Sequence, residues 1–240
     1  MSCSMQSITP MKIRKSNERG QADHGWLQSR HTFSFGDYFD PQHSSYRSLR
    51  VINEDHVSAK QGFGMHPHQN MEIISYVISG SLEHQDSMGN KATLQAGDIQ
   101  RISAGRGIRH QEYNPSTTEP VHFLQIWIQP ESKETDPSYA EKSFGKMKSN
   151  QLHLIASKTG RESSLSVHQE VDLYVAKLES GKSLSYHTQP HRHLWIQLIE
   201  GTLSVNDQYL EAGDGAALSD QEIVTIQSQE SSHLLLFDLK

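Results

Sequence analysis

Two short polar clusters in this chain carry side chains of the types that bind a cation. One is His66-Pro67-His68, followed by Glu72. The other is His110-Gln111-Glu112, followed by Asn114. In a β-strand, residues i and i+2 point to the same face. His66 and His68 therefore converge on one point, and so do His110 and Glu112. Two such strands facing each other across a barrel deliver three imidazoles and a carboxylate to one spot. That donor set suits Fe, Ni, Cu, Zn or Mn, and the reading is a mononuclear metal site. The competing reading, a polar network without an ion, would have to find hydrogen-bond partners for three buried histidines.

Strands of this kind need a sheet-rich frame. Residues 71–78 are apolar on both faces, as in a buried strand. Residues 32–35, 49–53, 91–95, 99–103 and 121–128 also read as strands, with turn residues at 36–37, 60–64, 86–90, 96–98 and 104–107. Short strands at this spacing predict an all-β sandwich or barrel. Phe33, Phe35, Tyr38 and Phe39 are expected to fill a core, since aromatics carry large buried area. Arg106 and Arg109 read as turn or surface residues, Asn114 as a strand-end turn residue, and His84, His122 and His153 as histidines that bind no metal.

The second half of the chain is a faded copy of the first. With Gly80 set on Gly201 and no gaps, HPHQNMEIISYVISGSL falls on HTQPHRHLWIQLIEGTL. Ala96-Gly97-Asp98 meets Ala212-Gly213-Asp214 after a shorter hairpin. A repeat of this length predicts two like barrels. Residues 130–150 are charged, contain two prolines and lack strand periodicity. The expected division is an N-terminal metal-binding barrel over 1–130, a linker over 131–150 and a C-terminal barrel over 151–240. His187 matches His66, but Gln189 replaces His68, and ALSDQEIVTIQS contains no counterpart of His110. The second barrel is thus expected to lack a complete metal site, with His187, His191 and His193 as surface histidines.

The chain of 240 residues has a formal net charge of −6, which argues against unaided nucleic-acid binding. Its single cysteine, Cys3, excludes an intramolecular disulfide and fits a reducing compartment. The first fifteen residues hold no apolar core of signal-peptide length, and no apolar run of about eighteen residues is present. A cytoplasmic location without membrane attachment is expected.

The spacing Gly-…-His66-x-His68-x3-Glu72-…-Gly80 is similar to the first cupin motif, and Gly97-…-Gly107-x2-His110-x3-Asn114 to the second. Gly25-Trp26-Leu27, Phe33-Ser34-Phe35, Arg50-Val51-Ile52-Asn53, Gly97-Asp98-Ile99-Gln100 and the run from Ala104 to Glu112 resemble the pirin family more closely. So does Glu119-Pro120-Val121-His122 with Gln125-Ile126-Trp127. The resemblance implies a bicupin with one metal ion, held by His66, His68, His110 and Glu112. Fe2+ is preferred, with Ni2+, Cu2+, Zn2+ or Mn2+ as alternatives. It implies quercetin 2,3-dioxygenase activity: a flavonol and O2 react, the heterocycle opens and carbon monoxide leaves. Most cupins use the glutamate at the position of Glu72, whereas pirins use that at Glu112. Strand parity places Glu72 on the side of His68, so either carboxylate is a candidate acceptor for the flavonol hydroxyl proton. A monomer is implied. The alternative function is a metal-containing, redox-responsive regulator that binds a transcription-related protein. Another cupin activity, such as an isomerase, is compatible with the same ligands.

Overall fold

The computed structural model describes residues 11–240. Cys3 lies outside the described residues. Among the described residues the elements are nearly all strands. β1 (Lys12–Arg14) is followed by β2 (Gly20–Asp23), β3 (Leu27–His31), β4 (Leu49–Val57), β5 (Gly62–His68), β6 (Glu72–Ser79) and β7 (Ser81–Asp86). Next come β8 (Lys91–Gln95), β9 (Asp98–Ser103), β10 (Ile108–Tyr113), β11 (Val121–Ile128), β12 (Ser138–Ser143), β13 (His153–Ser157) and β14 (Leu165–Ser166). The chain ends with β15 (Val171–Leu178), β16 (Ser183–His187), β17 (His193–Glu200), β18 (Thr202–Val205), β19 (Gln208–Glu211), β20 (Gly215–Ser219), β21 (Ile223–Ser228) and β22 (Ser232–Leu239). Among the described residues no helix is long and apolar enough to cross a membrane, which says nothing of strands.

The chain forms two compact units. The N-terminal unit comprises residues 19–147 and 155–170; the C-terminal unit comprises 11–18, 148–154 and 171–240. This differs from the division read from the sequence in three places. β1 pairs with β20, so the start of the chain joins the C-terminal unit. Residues 155–170 join the N-terminal unit. The stretch expected as a linker contains β12, which pairs with β9 from Ser138↔Ser103 to Ser143↔Asp98. β12 buries none of its side chains fully, as suits an edge strand, so it carries no apolar alternation to read.

In the N-terminal unit one sheet has the order β12-β9-β6-β11-β4-β3-β2 and the other β5-β10-β7-β8. Their inner faces meet in two apolar clusters. Ile73, Ile102, Ala104 and Ile108 form one. Leu27, Val57, Val77, Leu82, Leu94, Val121 and Phe123 form the other. Between the two clusters the inward positions turn polar. Gln100, Ser75, Gln125, Asn53 and His31 stand opposite one another in register, one from each of five adjacent strands. This polar row faces the four-stranded sheet that carries the two histidine motifs.

The C-terminal unit repeats the plan. Its sheets contain the orders β1-β20-β17-β22-β15 and β16-β21-β18-β19, each the N-terminal order shifted by eleven strands, with β1 standing where β12 stands. Gly80 and Gly201 hold matching turns at φ 77° and 84°. A Cβ there would come within 2.7 Å of Pro120 O or 2.3 Å of Ser231 O, so only glycine fits either turn. The interior differs. Ala216, Ile196 and Leu236 occupy the row that Gln100, Ser75 and Gln125 occupy in the first unit, and all three belong to one large apolar cluster.

Two local expectations fail. β3 ends at His31, and residues 32–35 form only an isolated bridge between Phe35 and Tyr38. Of the four aromatics expected in the core, Phe33 is buried, whereas Phe39 is 75% exposed.

Candidate metal centre

β10 lies antiparallel to β5, with His110 directly opposite His66 and Ile108 opposite His68. The pairing register shifts between His110 and Glu112, yet Ile108, His110 and Glu112 all remain buried along one face. The three imidazole centroids are 4.5 Å (His66–His110), 4.7 Å (His66–His68) and 4.9 Å (His68–His110) apart. One ring nitrogen from each lies within 4.8 Å of the others. His66 is oriented by a 2.7 Å hydrogen bond from Nδ1–H to Gly64 O, which leaves the Nε2 lone pair free to bind an ion.

His68 Nε2 and both ring nitrogens of His110 are buried without a hydrogen-bond partner. An unsatisfied buried polar group costs about 1–3 kcal/mol. The three converging imidazoles fit a divalent metal ion, which would take one nitrogen from each ring and so satisfy His68 Nε2 and one of the two His110 nitrogens. Burial, helped by the neighbouring imidazoles, holds the pKa of His68 down to about 4 and of His110 down to about 3. Both keep neutral, ligating rings at neutral pH.

Glu112 is fully buried beside this triad, outside the tight nitrogen cluster. Its carboxylate is fixed by the polar row. Ser75 Oγ and Gln100 Nε2 each donate to Oε1 at 2.7 Å, and Gln125 Nε2 donates to Oε2 at 2.6 Å. Trp127 Nε1 donates to Gln125 Oε1 at 3.1 Å and so fixes which way that amide faces. Oε1 thus takes two hydrogen bonds and Oε2 one, and Oε2 keeps a lone pair.

Glu72 is not brought to this site. Gln69 to Met71 carry the chain from one sheet to the other, with Asn70 at φ 53°, so parity counted from His68 does not survive the crossing. On β6, Ser75 faces Glu112, which places Glu72 on the opposite face. There Ser103 Oγ donates to Glu72 Oε2 at 2.8 Å, and His168 Nδ1 lies 3.2 Å from Oε1. His84, expected to bind no metal, lies in neither metal-compatible cluster and faces inward. It is fully buried, stacks on Tyr139 at 4.5 Å and lies 5.5 Å from His110. Arg106, in an exposed ion pair with Asp136, and Asn114, a turn residue bonded to Val57 O and Glu119 O, sit as expected.

The polar lining extends to Asp55, which accepts a hydrogen bond from Ser29 Oγ. Burial, opposed by that bond and assisted by the charge of Glu112, pushes its pKa up to about 7. Between the ordinary carboxylate value and about 7, the folded chain keeps a proton that the unfolded chain releases. Stability therefore falls as pH rises through that window. Metal-stripped Asp55→Asn is expected to escape this loss. Its stability relative to wild type should improve by on the order of 1–3 kcal/mol between pH 5 and pH 8 in urea unfolding. Parallel pH profiles would refute the assignment.

A pocket of about 440 Å³ is bounded by His68 of the triad together with Pro67, Ile108 and Arg109 among others, and His66, His110 and Glu112 do not line it. That volume suits a small organic ligand. In the C-terminal unit the corresponding mouth is bordered by His187, His191 and Arg192. Among the described residues, neither of the two metal-compatible clusters includes a residue of that unit.

Two barrels of this topology, one with a three-histidine cluster and one with an apolar interior, define a bicupin. Residues 12–128 match the family described as Pirin, and residues 154–239 match the Quercetinase C-terminal cupin domain. The chain belongs to the pirin family. It is 46% identical over 227 residues to the quercetin 2,3-dioxygenase of Escherichia coli K12, covering 95% of this chain and 97% of that one. It is 40% identical to a pirin-like protein of Caulobacter vibrioides, over 91% and 95% of the two chains. The crystal structure of the E. coli pirin YhhW in complex with nickel(II) superposes with a TM-score of 0.92 at 45% identity, covering 96% and 99%.

Proposed function

We propose that this chain is a metal-dependent quercetin 2,3-dioxygenase that opens flavonols with O2. In this reading His66, His68 and His110 hold one divalent ion, and Glu112 offers its spare Oε2 lone pair as fourth donor. The observation that carries the proposal is the set of orphaned imidazole nitrogens, next to an oriented carboxylate and an open pocket. The identity to the E. coli dioxygenase over nearly the whole chain supports it. Fe2+ and Ni2+ are the proposed occupants; availability decides between ions that suit the same donors.

When bound, such an ion draws an enolate or phenolate oxygen and stabilises its ionised form. The chain's own residues do the rest. Glu112 Oε2, held in place by Gln125 and, through it, by Trp127, has one spare lone pair and serves one role at a time: donor to the ion, or, when released from it, acceptor of the flavonol 3-hydroxyl proton. Pro67 and Ile108 offer apolar wall to a flat aromatic ligand, with Arg109 at the mouth. Glu72 has no part in the chemistry. The proposed setting is a cytoplasmic monomer whose N-terminal unit carries the reaction and whose C-terminal unit carries none.

The test is oxygen uptake with quercetin by protein stripped with a chelator and then reloaded with one equivalent of Fe2+ or Ni2+. The stripped protein is expected to be idle and the reloaded protein active. Undiminished turnover after stripping, or none with either ion, would overturn the reading.

A further inference from the structure

We infer that Glu54, His56 and His122 form a second divalent-metal site, on the opposite face of the sheet from the triad. Asn53, Asp55 and Val57 of β4 point into the barrel, so Glu54 and His56 point out. Phe123 and Gln125 of β11 point in, so His122 points out. His122 stands directly opposite His56 in the β4–β11 pairing, and their rings stack with centroids 3.9 Å apart at 17°. Ligating atoms from all three residues lie within 4.8 Å of one another.

The positions already approximate a chelate. His122 Nε2 lies 3.1 Å from Glu54 Oε1. With bonds of about 2.1 Å to an ion, that separation corresponds to an angle of about 95° at the metal, close to a cis pair of ligands. An ion can thus take the place of the shared proton with little movement of either group. Glu54 is held for this role from behind: Arg19 donates to its other oxygen, Oε2, at 2.6 Å. Such outer partners fix the direction of a ligating carboxylate. His56 is exposed and borders a pocket of about 270 Å³ with Trp26, Gln28 and Pro120. Ions reach the site from solvent, and a water or small ligand can complete the coordination. Two imidazoles and one carboxylate select Zn2+, Ni2+ or Cu2+ over Mg2+ or Ca2+.

The sequence hides this arrangement. His56 and His122 are sixty-six positions apart, and His56 is two residues from Glu54 in a strand with no motif. Only the register of β4 against β11 joins them. A salt bridge between His122 and Glu54 is the simpler use of those two residues, but it leaves the stacked, exposed His56 without a part.

The experiment counts Zn2+ bound to chelator-stripped protein, by equilibrium dialysis with elemental analysis. Wild type is expected to hold two equivalents. His110→Ala should keep only the outer one. His56→Ala and His122→Gln should each keep only the triad's, with affinity at the outer site at least tenfold weaker. His56 is exposed, so His56→Ala should keep the wild-type melting temperature and wild-type oxygen uptake with quercetin. One equivalent in wild type, lost with His110→Ala, would overturn the inference. So would a second equivalent that survives both outer substitutions. Because the readout is stoichiometry, either result is independent of whether flavonols are the substrate.

Discussion

His110→Ala is expected to lose the triad's metal and flavonol turnover together, each by at least about 100-fold. His110 is fully buried and faces His66 across the β5–β10 ladder. Without it the site loses the only fully buried imidazole of the three, the one that faces His66, and the two that remain are partly exposed. The fold should tolerate the change. The substitution removes two orphaned nitrogens, whose burial costs free energy, and this offsets much of the packing lost against His84. The metal-free variant should therefore melt within a few degrees of metal-free wild type. Metal is best counted in a His56→Ala background, so that the outer cluster does not contribute. One equivalent retained there, or turnover within tenfold of wild type, would sink the assignment. His187→Ala is the matched control. It alters the corresponding strand of the C-terminal unit, where the facing row is Ala216, Ile196 and Leu236, and it should change neither quantity.

The histidine motifs were legible because they depend only on strand parity over two residues, which no tertiary contact alters while the strand holds. The repeat was legible because glycines at tight turns, such as Gly80 and Gly201, tolerate no replacement and so mark equivalent positions. Glu72 was misplaced because parity was carried across 69–71, where the chain leaves one sheet for another. The row that holds Glu112 was not legible. Ser75 and Gln125 each appear as a polar residue among apolar neighbours, and Gln100 sits beside Arg101 in a strand of mixed composition, so each alone reads as a tolerated exception. Only the pairing register, a non-local property, shows that the three exceptions coincide. The same applies to His84, which stands opposite Glu112 on β7, and to the pair His56 and His122. The second half marks the contrast, since Ile196 and Ala216 stand at the aligned positions of Ser75 and Gln100 and belong to an apolar cluster.

Glu112→Gln should be more damaging than its near-identical shape suggests. The wild-type carboxylate only accepts, and three donors are aimed at it. A glutamine brings one oxygen and one NH2 group. If the oxygen faces Ser75 and Gln100, the NH2 meets the NH2 of Gln125. Flipping Gln125 cures that clash but turns its NH2 toward Trp127 Nε1–H, which is also a donor. Trp127 cannot turn away freely, because its ring packs edge-on against His68 at 5.0 Å and against Phe35 at 5.4 Å. With the oxygen toward Ser75 and Gln100 one hydrogen bond of the row is lost, at about 1–3 kcal/mol, and the melting temperature should fall by several degrees. The ion would also lose its one anionic neighbour in the row. Metal affinity should fall by about 10–100-fold, and turnover should fall by about 100-fold or more even at saturating metal, because the proton acceptor is gone. Glu72→Gln provides the contrast. It disturbs only the bonds to Ser103 and His168 on the far face of β6, and it should keep metal affinity and turnover within about twofold of wild type, since distant, independent sites do not couple. If Glu72→Gln abolishes turnover while Glu112→Gln spares it, the proton goes to the other carboxylate and the polar row is only scaffolding.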